Sequence, residues 1–461
     1  MIVLVLVVDS LRADAPGFGG GEARTPLLDQ MAADGTAFTQ TIASAGWTVP
    51  SLNAIAAGTF PHRIGVSRWR HPYPKRRPTL FTAFGAAGFE VFSFFHNPRW
   101  AFAGTQARGT VGDSQNRAAI CSALRAPRGS DRFVFVHHWW THLPYRTEAI
   151  PRKPWKALCN EILGELAADP DSQRPRWRRA YLDTVEFLDR ELLGAYLEAA
   201  QSGGDDVLVC VTADHGENWG ESVPEGHEVG HIYDLHGRWL TDDTTHVPLM
   251  FFGGRGSAKV PPSQRLGGFA RGVDVAPTVC GLAGVPWPGP LSDAEGDTLI
   301  DRGIESEEDL KLDGVSLEPS LVSGDPAPSP TALTVTSHNA VVPARYPKAA
   351  RTMWRRFSVR TDRARYVWDG VDKTRHVQDA QGGLQMEPGR RPWAALRDRL
   401  TGAGRHYGEM SAERKRAVGP GPMLEKDQFP GFGDDDAMLD EAEGAAGSVG
   451  ESMRMLGYTD D

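Results

Sequence analysis

An α/β fold, with a large mixed but mostly parallel sheet sandwiched by helices, follows from three features of the sequence. Ile2 to Val8 and Val207 to Val211 are apolar at consecutive rather than alternating positions, the pattern of parallel strands covered on both faces. Each run delivers polar chemistry at its end, Asp9 in Val-Val-Asp-Ser-Leu-Arg-Ala-Asp and Asp214-His215 in Thr-Ala-Asp-His-Gly-Glu. Open α/β sheets gather their ligands at the carboxyl ends of strands, so the pair points to a metal site there. Strands alternate with helical stretches to about residue 290, and Arg174 to Ala200 carries Tyr181, Val185, Leu188, Leu192 and Tyr196 at the spacing of one long amphipathic helix.

Taken in order, Ile2 to Val8 is too short to span a membrane and reads as a buried strand. Thr48-Val49-Pro50 opens a short helix that runs to Ala57 and stops at Gly58, because proline is favoured in the first helical turn and glycine just past the last. Thr48 then lies at a helix N-terminus, where unpaired amides favour an anion; taken alone it is equally a helix N-cap. Val91 to Phe95 is a further apolar run, and His96-Asn97-Pro98 after it is a disfavoured candidate for the rim of the site. In Phe133 to Tyr145 a further strand leads to His142, with His137 expected to be packed and Trp139 and Trp140 either filling core or stacking on a leaving group.

Thr298 to Pro330 is polar and turn-rich, and beyond it Ala332 to Val335, Phe357 to Arg360 and Arg365 to Trp368 read as strands of a smaller C-terminal α+β subdomain. From Gly419 the chain is rich in Gly, Pro and Asp, as a flexible acidic linker before a short terminal helix. The expected divisions are 1–297 for the catalytic domain, 298–418 for the subdomain and 419–461 for the tail.

Composition narrows the function. A chain of 461 residues, 40% hydrophobic, is large enough for one large domain and an appendage. Its net charge of -9 argues against a nucleic-acid platform. Cys121, Cys159, Cys210 and Cys280 show no paired metal spacing and read as reduced core thiols. The apolar start lacks a basic segment and a cleavage site, so a cytoplasmic location is expected. Lys75-Arg76-Arg77 and Arg351 with Arg355-Arg356 read as solvated faces. The oligomeric state is not legible.

Several blocks in fixed order resemble the sulfatase branch of the alkaline phosphatase superfamily: Val-Asp-Ser-Leu-Arg-Ala-Asp, then Thr25-Pro26-Leu27-Leu28-Asp29, then Thr-Val-Pro-Ser with Gly-Thr-Phe-Pro-His-Arg-Ile-Gly-Val. Later come His142-Leu143-Pro144-Tyr145, His236-Gly237, His246-Val247-Pro248-Leu249, Val273 to Thr278, Leu312 to Leu317 and a closing Met455-Leu456-Gly457-Tyr458. The resemblance implies an alkaline phosphatase-like fold in which Asp9, Asp214 and His215 hold one divalent ion, Mg²⁺, Mn²⁺, Ca²⁺ or Zn²⁺, with Thr48 completing the site. Ser10 stands where many relatives have a second Asp. A second ion, drawing on His227, His231, Asp234 or Asp242-Asp243, is disfavoured. His142 and His236 are implied to stabilise equatorial oxygens or protonate the leaving oxygen, and His62 to support the nucleophile helix. His246 and Asn53 are the candidate substrate contacts.

One departure redirects the reading. Sulfatases carry Cys or Ser, oxidised to formylglycine, where this chain has Thr48, and their motif continues Pro-Ser-Arg where this chain has Pro50-Ser51-Leu52. Threonine cannot give the aldehyde, so no formylglycine is expected. An unmodified hydroxyl is the nucleophile implied in phosphodiesterase and phosphotransferase relatives. The expected activity is therefore hydrolysis or transfer of phosphate esters, mono- or diesters, on a small anionic substrate. Sulfuric ester hydrolysis of the arylsulfatase kind is the alternative, and an inactive anion-binding relative the third.

Overall fold

The computed structural model describes residues 1–64, 73, 77–95, 110–125, 127, 129–145, 155–204, 206–222, 235–237, 239–254, 260–288, 312–329, 332–336, 356–360, 364–369, 374–379 and 384–386. Eight strands form the main sheet: β1 Ile2–Val8, β2 Thr36–Ile42, β3 Glu90–Phe95, β4 Thr110–Asp113, β5 Arg132–His138, β6 Val207–Ala213, β7 His246–Gly253 and β8 Gln264–Arg271. Their order is β4-β3-β5-β1-β6-β7-β2-β8, and β7 alone runs against the others. The central strand β1 pairs with β5 on one side and β6 on the other, so the residues that follow all three emerge at one edge.

The side-chain period of two explains why these strands read as unbroken apolar runs. Leu4, Leu6 and Val8 pack with Val134, Val136, Val209 and Val211 on one face, beneath Ile120, Tyr181 and Tyr196 of the covering helices. Val3, Val5 and Val7 pack with Phe133, Phe135, Leu208 and Cys210 on the other, beneath Leu52, Ile55 and Val279. Each such side chain contributes about 1.5–3 kcal/mol by leaving water. All four cysteines are buried and none is in a disulfide.

The helix expected at 174–200 is helical from Pro170 to Gln201, with a π-helical stretch at Leu188–Leu193. The wider turn has a use: Asp189 in it accepts the Leu27 and Leu28 amides at 3.1 and 2.7 Å, closing the N-terminus of α1 (Pro26–Asp34).

Downstream, the helix Glu318–Ser323 precedes an antiparallel sheet of β9 Ala332–Thr336, β10 Arg356–Arg360, β11 Ala364–Asp369, β12 Thr374–Asp379 and β13 Leu384–Met386. The three strands expected here correspond to β9, β10 and β11. This sheet borders the loop after β2: Thr334 Oγ1 donates to the Ala43 carbonyl at 2.7 Å and the Val335 amide to Ser44 at 3.1 Å. The fully buried Arg365 grips Asp242 through Nε at 2.8 Å and Nη2 at 2.5 Å. The expected divisions at 297 and 418, the acidic tail and the closing Met455–Tyr458 block lie outside the described residues.

Arg77 corrects an expectation. It is buried, and it donates to Thr59 Oγ1 and the Arg63 carbonyl at 3.3 Å each, bracing the turn after the Thr48 helix instead of lying on a solvated face. Lys75, Arg76, Arg351, Arg355 and the Arg356 side chain are outside the described residues. No helix among the described residues is long and apolar enough to cross a membrane.

Candidate active site at the carboxyl edge of the sheet

Three strand ends and one helix start converge at this edge. β1 releases Asp9, β6 releases Asp214 and His215, β5 ends in His137-His138, and helix α2 (Thr48–Ala57) begins with Thr48 itself. The turn out of β1 needs a left-handed residue, Ser10 at φ 57°. That conformation is uncommon for serine, and here its amide donates to Asp214 Oδ1 at 3.2 Å while its hydroxyl donates to Asp9 Oδ1 at 2.9 Å. Further hydrogen bonds pin the frame: the Asp9 amide to the His138 carbonyl at 2.8 Å, Thr141 Oγ1 to the Asp9 carbonyl, and Ser51 Oγ to the Asp214 carbonyl.

Asp9, Asp214 and His215 are wholly buried, and each offers a ligand atom within 4.8 Å of the other two. His215 is oriented by Nδ1, which donates to the Gly216 carbonyl at 2.8 Å and turns Nε2 toward the carboxylates, 3.6 Å from Asp9 Oδ1 and 3.6 Å from Asp214 Oδ2. Thr48 Oγ1 lies 3.2 Å from His215 Nε2 and 3.4 Å from Asp9 Oδ2. Helix α2 ends as expected at Gly58, in the left-handed region at φ 59°. Its far end is latched by the later blocks: the Gly58 carbonyl accepts the Asp313 and Gly314 amides at 2.9 and 3.0 Å, and Asp313 pairs with Arg63.

The two expected histidines stand beside this cluster. His142 Nδ1 donates to the Leu143 carbonyl at 2.6 Å, and its ring stacks on Trp139 with centroids 4.9 Å apart. His236 lies 5.0 Å from the His142 ring and 4.7 Å from the His215 ring, with Nδ1 hydrogen-bonded to Glu217 Oε1 at 2.9 Å.

Burial sets the electrostatics. It works to raise Asp9, but His142, His137 and His215 together hold that carboxyl well below the usual range. Burial pushes Glu217 up to about 7. It also pushes His236 down to about 3, with the His215 charge adding to the effect. His137 goes the other way: burial opposes its charge, yet Asp214 and Asp9 outweigh it and carry the imidazole to about 9.

Asp9, Thr48, Asp214, His215, His142 and His236 are thus brought together. Asn53 is wholly buried and donates through Nδ2 to the Val49 carbonyl of its own helix at 2.7 Å. His246 begins β7 with its Nε2 3.0 Å from the Thr39 carbonyl. Asp242 and Asp243, weighed as ligands of a second ion, are engaged by Arg365 and Arg12. His227, His231, Asp234 and His96-Asn97-Pro98, and the side chain of His62, lie outside the described residues. Trp140 packs on Phe187 with centroids 5.0 Å apart, a core contact.

Two residues escaped the sequence reading. Glu217 follows Asp214-His215 in the same motif, but its partner His236 is set by a loop. His137, expected to be packed, has Nε2 3.3 Å from Asp9 Oδ2 and 3.4 Å from Asp214 Oδ2. The signal for it was present: two positions after Phe135, it must face the same side of the sheet as α2.

The Sulfatase family model matches residues 2–285. The low-salt glycan biosynthesis sulfotransferase Agl7 of Haloferax volcanii is 26% identical over 290 residues, 61% of this chain and 60% of that protein. Arylsulfatase K of Xenopus laevis is 26% identical over 174 residues, 36% of this chain and 30% of that one. The matched stretches therefore span under two thirds of either relative. Among solved structures, a 2-O GAG sulfatase superposes with a TM-score of 0.62 at 16% identity, covering 92% of this chain and 99% of that one. A phosphonate monoester hydrolase from Silicibacter pomeroyi superposes with a TM-score of 0.59 at 19% identity, covering 89% and 96%. At these identities the structural likeness bears on the fold.

Proposed function

Because the chain belongs to the sulfatase family, we propose that it is a metal-dependent hydrolase of small phosphate or phosphonate esters with Thr48 as its nucleophile. The observation that carries this is the place of Thr48 Oγ1, at a helix N-terminus and 3.4 and 3.2 Å from Asp9 Oδ2 and His215 Nε2. The donor set fits one divalent cation: two wholly buried carboxylates lie side by side, and Asp214 Oδ2 has no hydrogen-bond partner. Asp9, Asp214, His215 and Thr48 would hold it. Bound there, a divalent ion supplies Lewis acidity and lowers the pKa of an alcohol beside it.

The chain's own residues supply the rest. The Thr48 and Val49 amides at the start of α2 and the helix dipole favour an anion next to Thr48. Thr48 Oγ1 attacks phosphorus in line, the bond to the ester oxygen breaks, and water later releases the phosphoryl group from the threonine. His142, tied through Nδ1 to Leu143, presents Nε2 toward the leaving oxygen or an equatorial oxygen. Glu217 orients His236 in the same way through its Nδ1. Formylglycine chemistry has no part in this reading.

A second reading is sulfate-ester hydrolysis or transfer, favoured by the names of the two sequence relatives, a sulfotransferase and an arylsulfatase. The test is turnover of the purified protein on matched aryl phosphate monoesters, diesters, phosphonates and sulfates, each with Mg²⁺, Mn²⁺, Ca²⁺ and Zn²⁺. Phosphorus esters are expected to lead, and Thr48→Ala to lower their turnover by at least about a thousandfold with metal content retained. A sulfate ester in the lead assigns the second reading, and undiminished turnover by Thr48→Ala removes it as nucleophile.

A further inference from the structure

The turn that leaves β1 brings one residue into contact with both carboxylates of the site. Ser10 is wholly buried and stands in the left-handed region at φ 57°. Its amide donates to Asp214 Oδ1 at 3.2 Å and its hydroxyl to Asp9 Oδ1 at 2.9 Å. The His215 amide adds a second hydrogen bond to Asp214 Oδ1 at 2.8 Å, while Asp214 Oδ2 has none. Backbone amides therefore divide Asp214 into a tethered oxygen and an open one, whatever the side chain at position 10.

Asp9 depends on that side chain. Both of its oxygens border the other candidate ligands: Oδ1 lies 3.6 Å from His215 Nε2, and Oδ2 lies 3.4 Å from Thr48 Oγ1. The Ser10 hydroxyl occupies Oδ1 and leaves Oδ2 to face the threonine. Ions differ in what they ask of such a carboxylate. Ca²⁺ accepts two oxygens of one carboxylate in a large, flexible shell, whereas Mg²⁺ demands near-octahedral geometry and takes one. The backbone supports a functional reading of the hydroxyl, because an L-residue with a side chain is held where glycine is accepted more readily.

We propose that Ser10 is a positioning residue whose hydroxyl restricts Asp9 to one-oxygen ligation and so sets the preference of the site for small ions, Mg²⁺ and Mn²⁺, over Ca²⁺. The proposal rests on the metal-site reading above and deepens it, and it adds no ligand to the ion.

The experiment is competition of Ca²⁺ against Mn²⁺ on the stripped full chain, read by the electron paramagnetic resonance signal of free Mn²⁺. Ser10→Gly, which adopts a positive φ without strain and lacks the hydroxyl, is expected to move the preference toward Ca²⁺ by at least about tenfold. Ser10→Thr, which keeps the hydroxyl, is expected to hold the wild-type ratio. Infrared difference spectra between Ca²⁺-loaded and stripped protein give a second readout. The splitting between the antisymmetric and symmetric carboxylate stretches is expected to narrow in Ser10→Gly, as it does when a carboxylate gives both oxygens to one ion, and to stay wide in the wild type and Ser10→Thr. An unchanged preference or splitting in Ser10→Gly, or an equal shift in Ser10→Thr, overturns the assignment of Ser10 while leaving the metal site intact. A wild-type chain that binds neither ion overturns the metal-site reading itself.

Discussion

Two charge clusters begin at Asp9 and Arg12, a single turn of chain apart, and they are built on opposite plans. Around Arg12 the guanidinium is saturated: Nε and Nη2 bind Asp14 in fork geometry at 2.8 Å each, and Nη1 binds the Glu217 carbonyl and Glu221 Oε1 at 3.0 Å each. Asp243 lies 3.6 Å away, and the guanidinium covers the Trp219 ring at 5.0 Å. Around Asp9 the carboxylates face imidazoles and a hydroxyl, and Asp214 Oδ2 and His137 Nε2 are left without hydrogen bonds. The first cluster closes on itself and ties the loop after β6 to the turn after β1. The second is open, its two desolvated carboxylates facing imidazoles of which His137, raised to about 9, carries charge at neutral pH.

That contrast breaks first at Arg12. Arg12→Met, which leaves Asp243 and Glu221 without their cation while the half-exposed Asp14 returns to water, should cost about 3 kcal/mol in urea unfolding, the low end for a broken buried pair. The same measurement on Asp9→Asn, in protein stripped of divalent ions, should show a smaller loss, since His142, His137 and His215 hold that carboxylate ionised while the Asp214 carboxylate lies against it. Equal destabilisation by both would mean that the Asp9 cluster is structural too.

Ion binding sharpens the comparison at a somewhat smaller scale. A divalent ion at a hundred times its Kd should stabilise the stripped wild-type protein by about 2.7 kcal/mol, read as a rise in melting temperature. Asp214→Asn should lose that gain, because it removes a donor from the open cluster. A persisting rise in Asp214→Asn would put the ion somewhere else.

The smallest expected effect is at Glu217, which contributes its carbonyl to the Arg12 cluster and its carboxyl to the Asp9 side. Its carboxyl is raised to about 7 from 4.5, so the folded stripped protein keeps a proton that the unfolded chain gives up. The stabilisation is full below about 4.5 and is lost as pH rises through about 7. Relative to Glu217→Gln, wild-type stability should therefore decline across that window in pH-dependent melting. A flat difference would mean that Glu217 titrates normally in the fold.

Much of the site was legible because it depends on local pattern. Apolar runs at Ile2–Val8 and Val207–Val211 place Asp9 and Asp214-His215 at strand ends wherever those strands sit in the sheet. Thr48 is marked by Pro50 behind it and Gly58 at the helix end. Asn53, expected as a substrate contact, has its amide nitrogen on the Val49 carbonyl of its own helix, a matter of rotation that motif position does not carry. Arg77 misled because a run of basic residues says nothing about the Thr59 and Arg63 acceptors that enclose it.

What the sequence by itself determined is therefore the class of fold, the strand-end carboxylates and histidine, and the hydroxyl at a helix start, all consequences of hydrophobic period and turn chemistry within short windows. Only the tertiary structure decided that His137 meets both carboxylates, that Glu217 holds His236, and that Arg12 closes a separate cluster. Those contacts join residues on different strands and loops, and they exist because β5, β1 and β6 lie side by side in register. Nothing in a local window encodes that adjacency.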